Sequence, residues 1–148
     1  MRTRREQRDA ADPRAYYTAQ PEAVAAVAQR EGIDLVVLFG SAARGRLRAE
    51  SDLDIAVRFV KGWPGFEAEA RVAAELHAAL HPPRELDLVL LHHASPLLLI
   101  QVATEGIPLY EASPEVWPLF WLYARRRFED TEKYRQRRWE VLQERFLR

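Results

Sequence analysis

The sequence predicts an α/β (α+β) fold: a small mixed β-sheet with flanking helices and a long C-terminal helical region. Three observations carry this. Ile33 to Phe39 is nearly all apolar, as expected of a central strand covered on both faces. Leu53 to Phe59 alternates, with Leu53, Ile55, Val57 and Phe59 pointing one way and Asp52, Asp54, Ala56 and Arg58 the other. Stretches with apolar residues at helical spacing flank and separate these runs, so helices must cover the sheet.

The elements follow in order. Met1 to Pro13 is charged and aperiodic, and a frayed arm is expected over residues 1–14. Pro21 stands at a helix start, Val24, Val27 and Ala28 follow at helical spacing, and Gly32 closes the helix. The first strand, Ile33 to Phe39, ends at Gly40, where the backbone can turn as a side chain would not allow. An arginine-rich loop (Arg44, Arg46, Arg48) leads to the second strand, and the turn cluster from Lys61 to Gly65 ends it. Phe66 to Leu80 reads as a helix with Phe66, Ala70, Ala73, Leu76 and Leu80 on one face, stopped by Pro82 and Pro83. Glu85 to Leu91 is a third strand, with Leu86, Leu88 and Leu90 on one side and Asp87, Val89 and Leu91 on the other. Ser95–Pro96 pairs an N-cap with proline at the first helical position, opening a helix to about Glu105. Residues 106–110 add a short edge strand. Ser113–Pro114 repeats the cap-and-proline signature before a helical stretch running to Leu147, bent near Pro118.

The short link between the first two strands makes them antiparallel, whereas the helix between the second and third makes that pair parallel. The division expected is an arm over 1–14, a domain over 15–112 and a helical extension over 113–148. The extension belongs either to the same core or to a partner's interface. On its helix Trp117, Trp121, Ala124, Phe128, Trp139, Leu142 and Phe146 can share one face, and core packing is the leading explanation.

Bulk properties narrow the chemistry. The 148 residues suffice for one core, and 48% hydrophobic with 30% charged residues is the composition of a soluble globular protein. No apolar run approaches the roughly 20 residues of a membrane span, and the N-terminus lacks the apolar region of a secretory signal, so a cytoplasmic protein is expected. With no cysteine, disulfides and thiolate chemistry are excluded, and any metal must be held by Asp, Glu or His. The zero net charge divides unevenly. Residues 125–148 carry eight arginines and one lysine against five acids, on an acidic middle. That basic end has no interleaved aromatics on a basic face, so direct nucleic-acid binding is not expected.

Chemistry concentrates between the first and third strands. Asp52 and Asp54 lie two apart on one strand face, about 6–7 Å apart at Cα, so their carboxylates can converge on a divalent cation. Asp87 sits on a neighbouring apolar strand, where an isolated carboxylate is costly to bury unless a cation relieves it. Three carboxylates without Cys or His favour Mg²⁺ or Mn²⁺ over zinc. Gly40 and Ser41 open a helical turn whose free N–H groups, with the Ser41 hydroxyl, suit a phosphate. Together these parts suit metal-assisted transfer of a nucleotidyl group, with Asp87 orienting the attacking hydroxyl.

Gly40–Ser41, ten intervening residues and then Asp52-x-Asp54 resembles the Gly-Ser-x10-Asp-x-Asp signature of the DNA polymerase β-like nucleotidyltransferases. The flanking Phe39 to Gly45 and Ser51 to Ile55 resemble the minimal nucleotidyltransferase (MNT) branch, and the likeness covers about residues 22–110. It implies a palm-type mixed sheet, triphosphate contact at Gly40 and Ser41, and metal binding and catalysis by Asp52 and Asp54, completed by Asp87. It also implies ATP as co-substrate and a HEPN-domain toxin as partner, with AMP transferred to a tyrosine of that toxin. Two alternatives stand beside this: an antitoxin that neutralises by binding alone, and a nucleotidyltransferase acting on a small molecule.

Other pairings carry less. Arg44 could reach a triphosphate, but an exposed loop arginine is an equal reading. His77 and His81 have helical ligand spacing without a third ligand. Arg71 and His77 match the loose Arg-x4–6-His pattern of HEPN ribonucleases, yet six residues turn a helix by about 240°. His92 and His93 end the third strand near the expected site, as structural or exposed residues.

Overall fold

A computed structural model describes residues 21–46 and 52–146. The expected N-terminal arm over 1–14, Arg48 and the last turn at Leu147 lie outside the described residues. The elements are α1 (Pro21–Glu31), β1 (Ile33–Phe39), α2 (Gly40–Ala43), β2 (Leu53–Phe59), α3 (Phe66–Leu80), β3 (Leu86–Leu90), α4 (Pro96–Glu105), β4 (Ile107–Glu111) and α5 (Val116–Phe146).

The four strands form one sheet in the order β3-β2-β1-β4. β1 runs antiparallel to both β2 and β4, and β2 runs parallel to β3; the β1–β2 and β2–β3 directions are those expected from their connections. The sheet is therefore mixed and the fold class is the expected one. The parallel ladder reaches one residue past β3 at each end, since Leu53 N donates to Glu85 O and Leu91 N to Val57 O.

Strand alternation sorts the core into two layers. On one face Val36, Leu38, Leu53, Ile55 and Val57 pack against Val24, Val27 and Ala28 of α1 and Val72, Leu76 and Leu80 of α3. On the other, Leu35, Val37, Phe39, Ala56 and Leu91 meet Leu99, Val102 and Ala103 of α4 and Phe120 and Ala124 of α5. β1 contributes to both layers because it is central and apolar at every position but Asp34. A bulge between Ile33 and Leu35 shifts its register against β2. There Asp34 turns to accept two hydrogen bonds from Arg58, from Nε at 3.0 Å and Nη2 at 2.8 Å. A bidentate pair of this kind fixes the strand ends more firmly than a single contact would.

Three expectations change. The buried stripe of α3 is Val72, Leu76 and Leu80, while Phe66 is 80% exposed and stacks edge-on to Trp63 with ring centroids 4.7 Å apart. Phe66 is the first residue of its helix, where it meets Trp63 and not the core, so helical periodicity alone misplaces it. Ser113–Pro114 forms a turn, with Val116 N donating to Ser113 O, and α5 begins only at Val116. Glu111 supplies the cap instead, its carboxylate accepting from Trp117 N at 3.2 Å. Pro118 falls in the first turn of α5, where its missing N–H would have had no helical partner, and the helix runs on as one element.

The third change concerns α5 itself. Phe120 and Ala124 are buried, with Trp117 and Trp121 packed beside them. Trp139, Leu142 and Phe146 are 61%, 40% and 74% exposed, although they continue the same face. α5 packs chiefly along α4, whose 10 residues extend only about 15 Å at 1.5 Å per residue. The 31 residues of α5 outrun that support, so about 18 of them stand clear of the core.

Candidate active site

The site begins at the end of β1. Gly40 has φ +71°, a left-handed conformation that a side chain would strain. A Cβ built there would collide with the Asp54 carboxylate, lying 2.9 Å from its Cγ. Two constraints thus demand glycine at one position: the turn into α2 and the carboxylate packed against it. The neighbouring Phe39 is the register partner of Asp54 across the antiparallel ladder. Ser41 follows in α2, half-buried, and its hydroxyl has no partner among the described residues.

β2 and β3 bring the acids together. Asp54 and Asp87 are direct partners in the parallel register, so their side chains leave the same sheet face on adjacent strands. That face also carries Ala56 and is covered further along by α4 and α5. Asp52 precedes β2 by one residue, two positions from Asp54, and so joins the same side. Asp52 and Asp87 are exposed and Asp54 is half-buried. Among the described residues none of the three is in an ion pair or hydrogen bond. Burial first, and then the charges of Asp87 and Asp52, push the Asp54 carboxyl above its ordinary range, while Arg44 pulls it back. Three like charges converging with one nearby cation form a site that a further cation would relieve.

Among the described residues no group of three His, Cys, Asp or Glu is closed tightly enough to grip a metal ion as the side chains stand. The donor set nonetheless fits one, being all oxygen and anionic, with two members on adjacent strands. Arg44 ends α2 and pairs with Glu105, the last residue of α4, at 2.9 Å. Sequence reasoning missed Glu105. Its 61-residue separation from Arg44 leaves no local signal.

The remaining residues singled out from the sequence are placed elsewhere. His92 is not near the site. Its ring Nε2 lies 2.8 Å from the carbonyl of Phe59, at the far end of β2 from Asp54. Because β2 and β3 are parallel, the end of β3 is the end furthest from the carboxylates. His93 lies tilted against Trp63, with ring centroids 6.0 Å apart. Arg71 pairs bidentately with Glu31, and His77 contacts the carbonyl of Arg84, so neither joins a common catalytic face.

This sheet and this glycine–carboxylate arrangement define a nucleotidyltransferase fold. The family model "Polymerase beta, Nucleotidyltransferase" matches residues 22–115, and the chain belongs to that family. A toxin–antitoxin structure with AMP-PNP is 27% identical, covering 82% of this chain and 97% of that one, with a TM-score of 0.69. An MntA–HepT toxin–antitoxin structure is 25% identical over 84% and 97%, with a TM-score of 0.63. A tri-AMPylated Shewanella oneidensis HEPN toxin in complex with an MNT antitoxin shares the fold at 24% identity over 85% and 98%, with a TM-score of 0.65. A comparison with curated proteins gives no match. No helix among the described residues is long and apolar enough to cross a membrane.

Proposed function

We propose that this chain is an antitoxin that transfers AMP from ATP, with Mg²⁺, to a tyrosine hydroxyl of a HEPN-domain toxin. The observation that carries the reading is the register: Asp54 is pressed against Gly40 and paired with Asp87 on one sheet face. In this reading the turn at Gly40 would bind phosphate, Asp54 packed against it would hold the metal, and Asp87 beside Asp54 on the next strand would face the acceptor. The AMP-PNP bound in one similar structure and the AMPylated toxin in another support ATP as donor and a toxin as acceptor.

In this reading Asp52 and Asp54, with Asp87, would hold the metal, which supplies charge neutralisation of the phosphates and acidifies the attacking hydroxyl. Backbone N–H groups at Gly40 and Ser41, with the Ser41 hydroxyl, donate to phosphate oxygens. Asp87, exposed at the sheet edge, accepts the proton of the acceptor hydroxyl and aims its oxygen. The oxygen bonds to the α-phosphorus as the bond to the β-phosphate oxygen breaks, giving the AMP ester and pyrophosphate. Labelled ATP, Mg²⁺ and the purified toxin test this. Label should pass to the toxin, and Asp52→Asn with Asp54→Asn should stop it. Undiminished transfer by the double mutant would sink the assignment.

A second reading, neutralisation by binding alone, is favoured by one observation: Trp139, Leu142 and Phe146 form an uncovered stripe on the projecting half of α5. A chain ended after Asp130 keeps the core contacts of α5 and loses that stripe. If the carboxylate double mutant still protects cells and this truncation does not, binding alone is the mechanism.

A further inference from the structure

Arg44 stands at the end of α2, the short helix that Gly40 opens, and its Nη1 donates to Glu105 Oε2 at 2.9 Å. The pair ties the glycine–serine turn to the end of α4, on the sheet face that carries Asp54 and Asp87. The two side chains are 44% and 39% exposed, and an ion pair so open to water adds little to fold stability. What it does determine is where a long, flexible cation points. Only Nη1 is engaged. The Nε and Nη2 donors have no partner among the described residues. Those two donors form the edge of the guanidinium that suits two phosphate oxygens at once. Arg44 N also donates to the carbonyl of Gly40 at 3.2 Å, the residue against which the Asp54 carboxylate packs.

We infer that Glu105 is a positioning residue for the nucleotide: it holds the Arg44 guanidinium at the mouth of the carboxylate site with its Nε–Nη2 edge free for phosphate. The inference rests on the nucleotidyl-transfer reading above. Glu105 touches no reacting atom and acts only through Arg44. Because phosphate takes the opposite edge of the guanidinium, Glu105 stays bound while the nucleotide is held. An arginine otherwise loses much rotamer freedom when it grips a ligand, and here that loss is already incurred in the folded protein.

Titration calorimetry with AMP-PNP and Mg²⁺ tests this on the full chain, Glu105→Gln, Arg44→Ala and the double variant. Glu105→Gln should weaken binding about three- to fivefold with an unchanged unfolding temperature. In transfer assays it should raise the KM for ATP and leave kcat as it was. Arg44→Ala should weaken binding further, and the double variant should bind no worse than Arg44→Ala alone. Unchanged or tighter binding by Glu105→Gln overturns the inference, as does additivity in the double variant. If the unaltered chain fails to bind AMP-PNP, the nucleotidyl-transfer reading falls, and this inference with it.

Discussion

Gly40 and Asp54 touch across the first turn of the site, so the glycine's missing side chain is the space the carboxylate fills. Replacing Gly40 with alanine would both strain a positive φ and displace the carboxylate. We expect Gly40→Ala to cut transfer by about 100-fold or more, since a shift of about 1 Å at a reacting centre is enough for that. The stability loss should be only about 1 kcal/mol. Parallel rate and thermal-unfolding measurements separate the two effects.

Asp54 is expected to cost the fold stability, because burial and its neighbours raise its carboxyl above the ordinary value of 3.8. A carboxyl raised on folding is disfavoured when ionised. The penalty is therefore full at neutral pH, shrinks as pH falls through the folded-state value, and is gone below 3.8. Asp54→Asn should melt higher than the unaltered chain at pH 7 and at the same temperature near pH 3, while being inactive. Equal melting temperatures at both pH values would contradict this.

The same repulsion predicts a metal response. Mg²⁺ at ten times its dissociation constant should stabilise the chain by about 1.4 kcal/mol, and the Asp52→Asn, Asp54→Asn variant should show no such gain. Chelation with EDTA should abolish transfer, and Mn²⁺ should restore it where Zn²⁺ does not. Thermal unfolding with and without each ion reads the first effect independently of activity.

Glu31 behaves in the opposite sense from Asp54. The hydrogen bonds from Arg71 hold its carboxyl below the ordinary value of 4.5, and its side chain is only 7% exposed. The stability it contributes is present above 4.5 and is lost as pH falls through the lower folded-state value. Arg71→Ala should lower the chain's stability at pH 7, where it removes the guanidinium that holds the Glu31 carboxylate, and by much less in acid. Denaturant melts at pH 7 and pH 3 measure the difference. Activity at pH 7 should persist, because Arg71 lies on the sheet face away from the carboxylates.

For α5, truncation after Asp130 should leave stability nearly unchanged. Truncation after Ala112 should unfold the domain, because it removes Phe120 and Ala124 from the core. Loss of a buried phenylalanine alone is worth about 3–5 kcal/mol. Circular dichroism of the two fragments distinguishes these outcomes.

Local pattern was enough for most of the elements and for proposing part of the candidate site. The alternation of Leu53 to Phe59, the apolar run of β1 and the spacing of Gly40–Ser41 to Asp52 and Asp54 are properties of neighbouring residues. Backbone geometry turns each directly into a strand, a turn or a shared face. Tertiary structure decided what depends on where one element ends against another. It set Asp87 opposite Asp54 through the β2–β3 register, and it brought Glu105 to Arg44 from a helix far along the chain. It carried His92 to the far end of the sheet and left Trp139 in solvent on a face whose first half is core. Periodicity specifies which side of a helix is apolar. Only the extent of the elements packed beneath it determines how much of that side is covered.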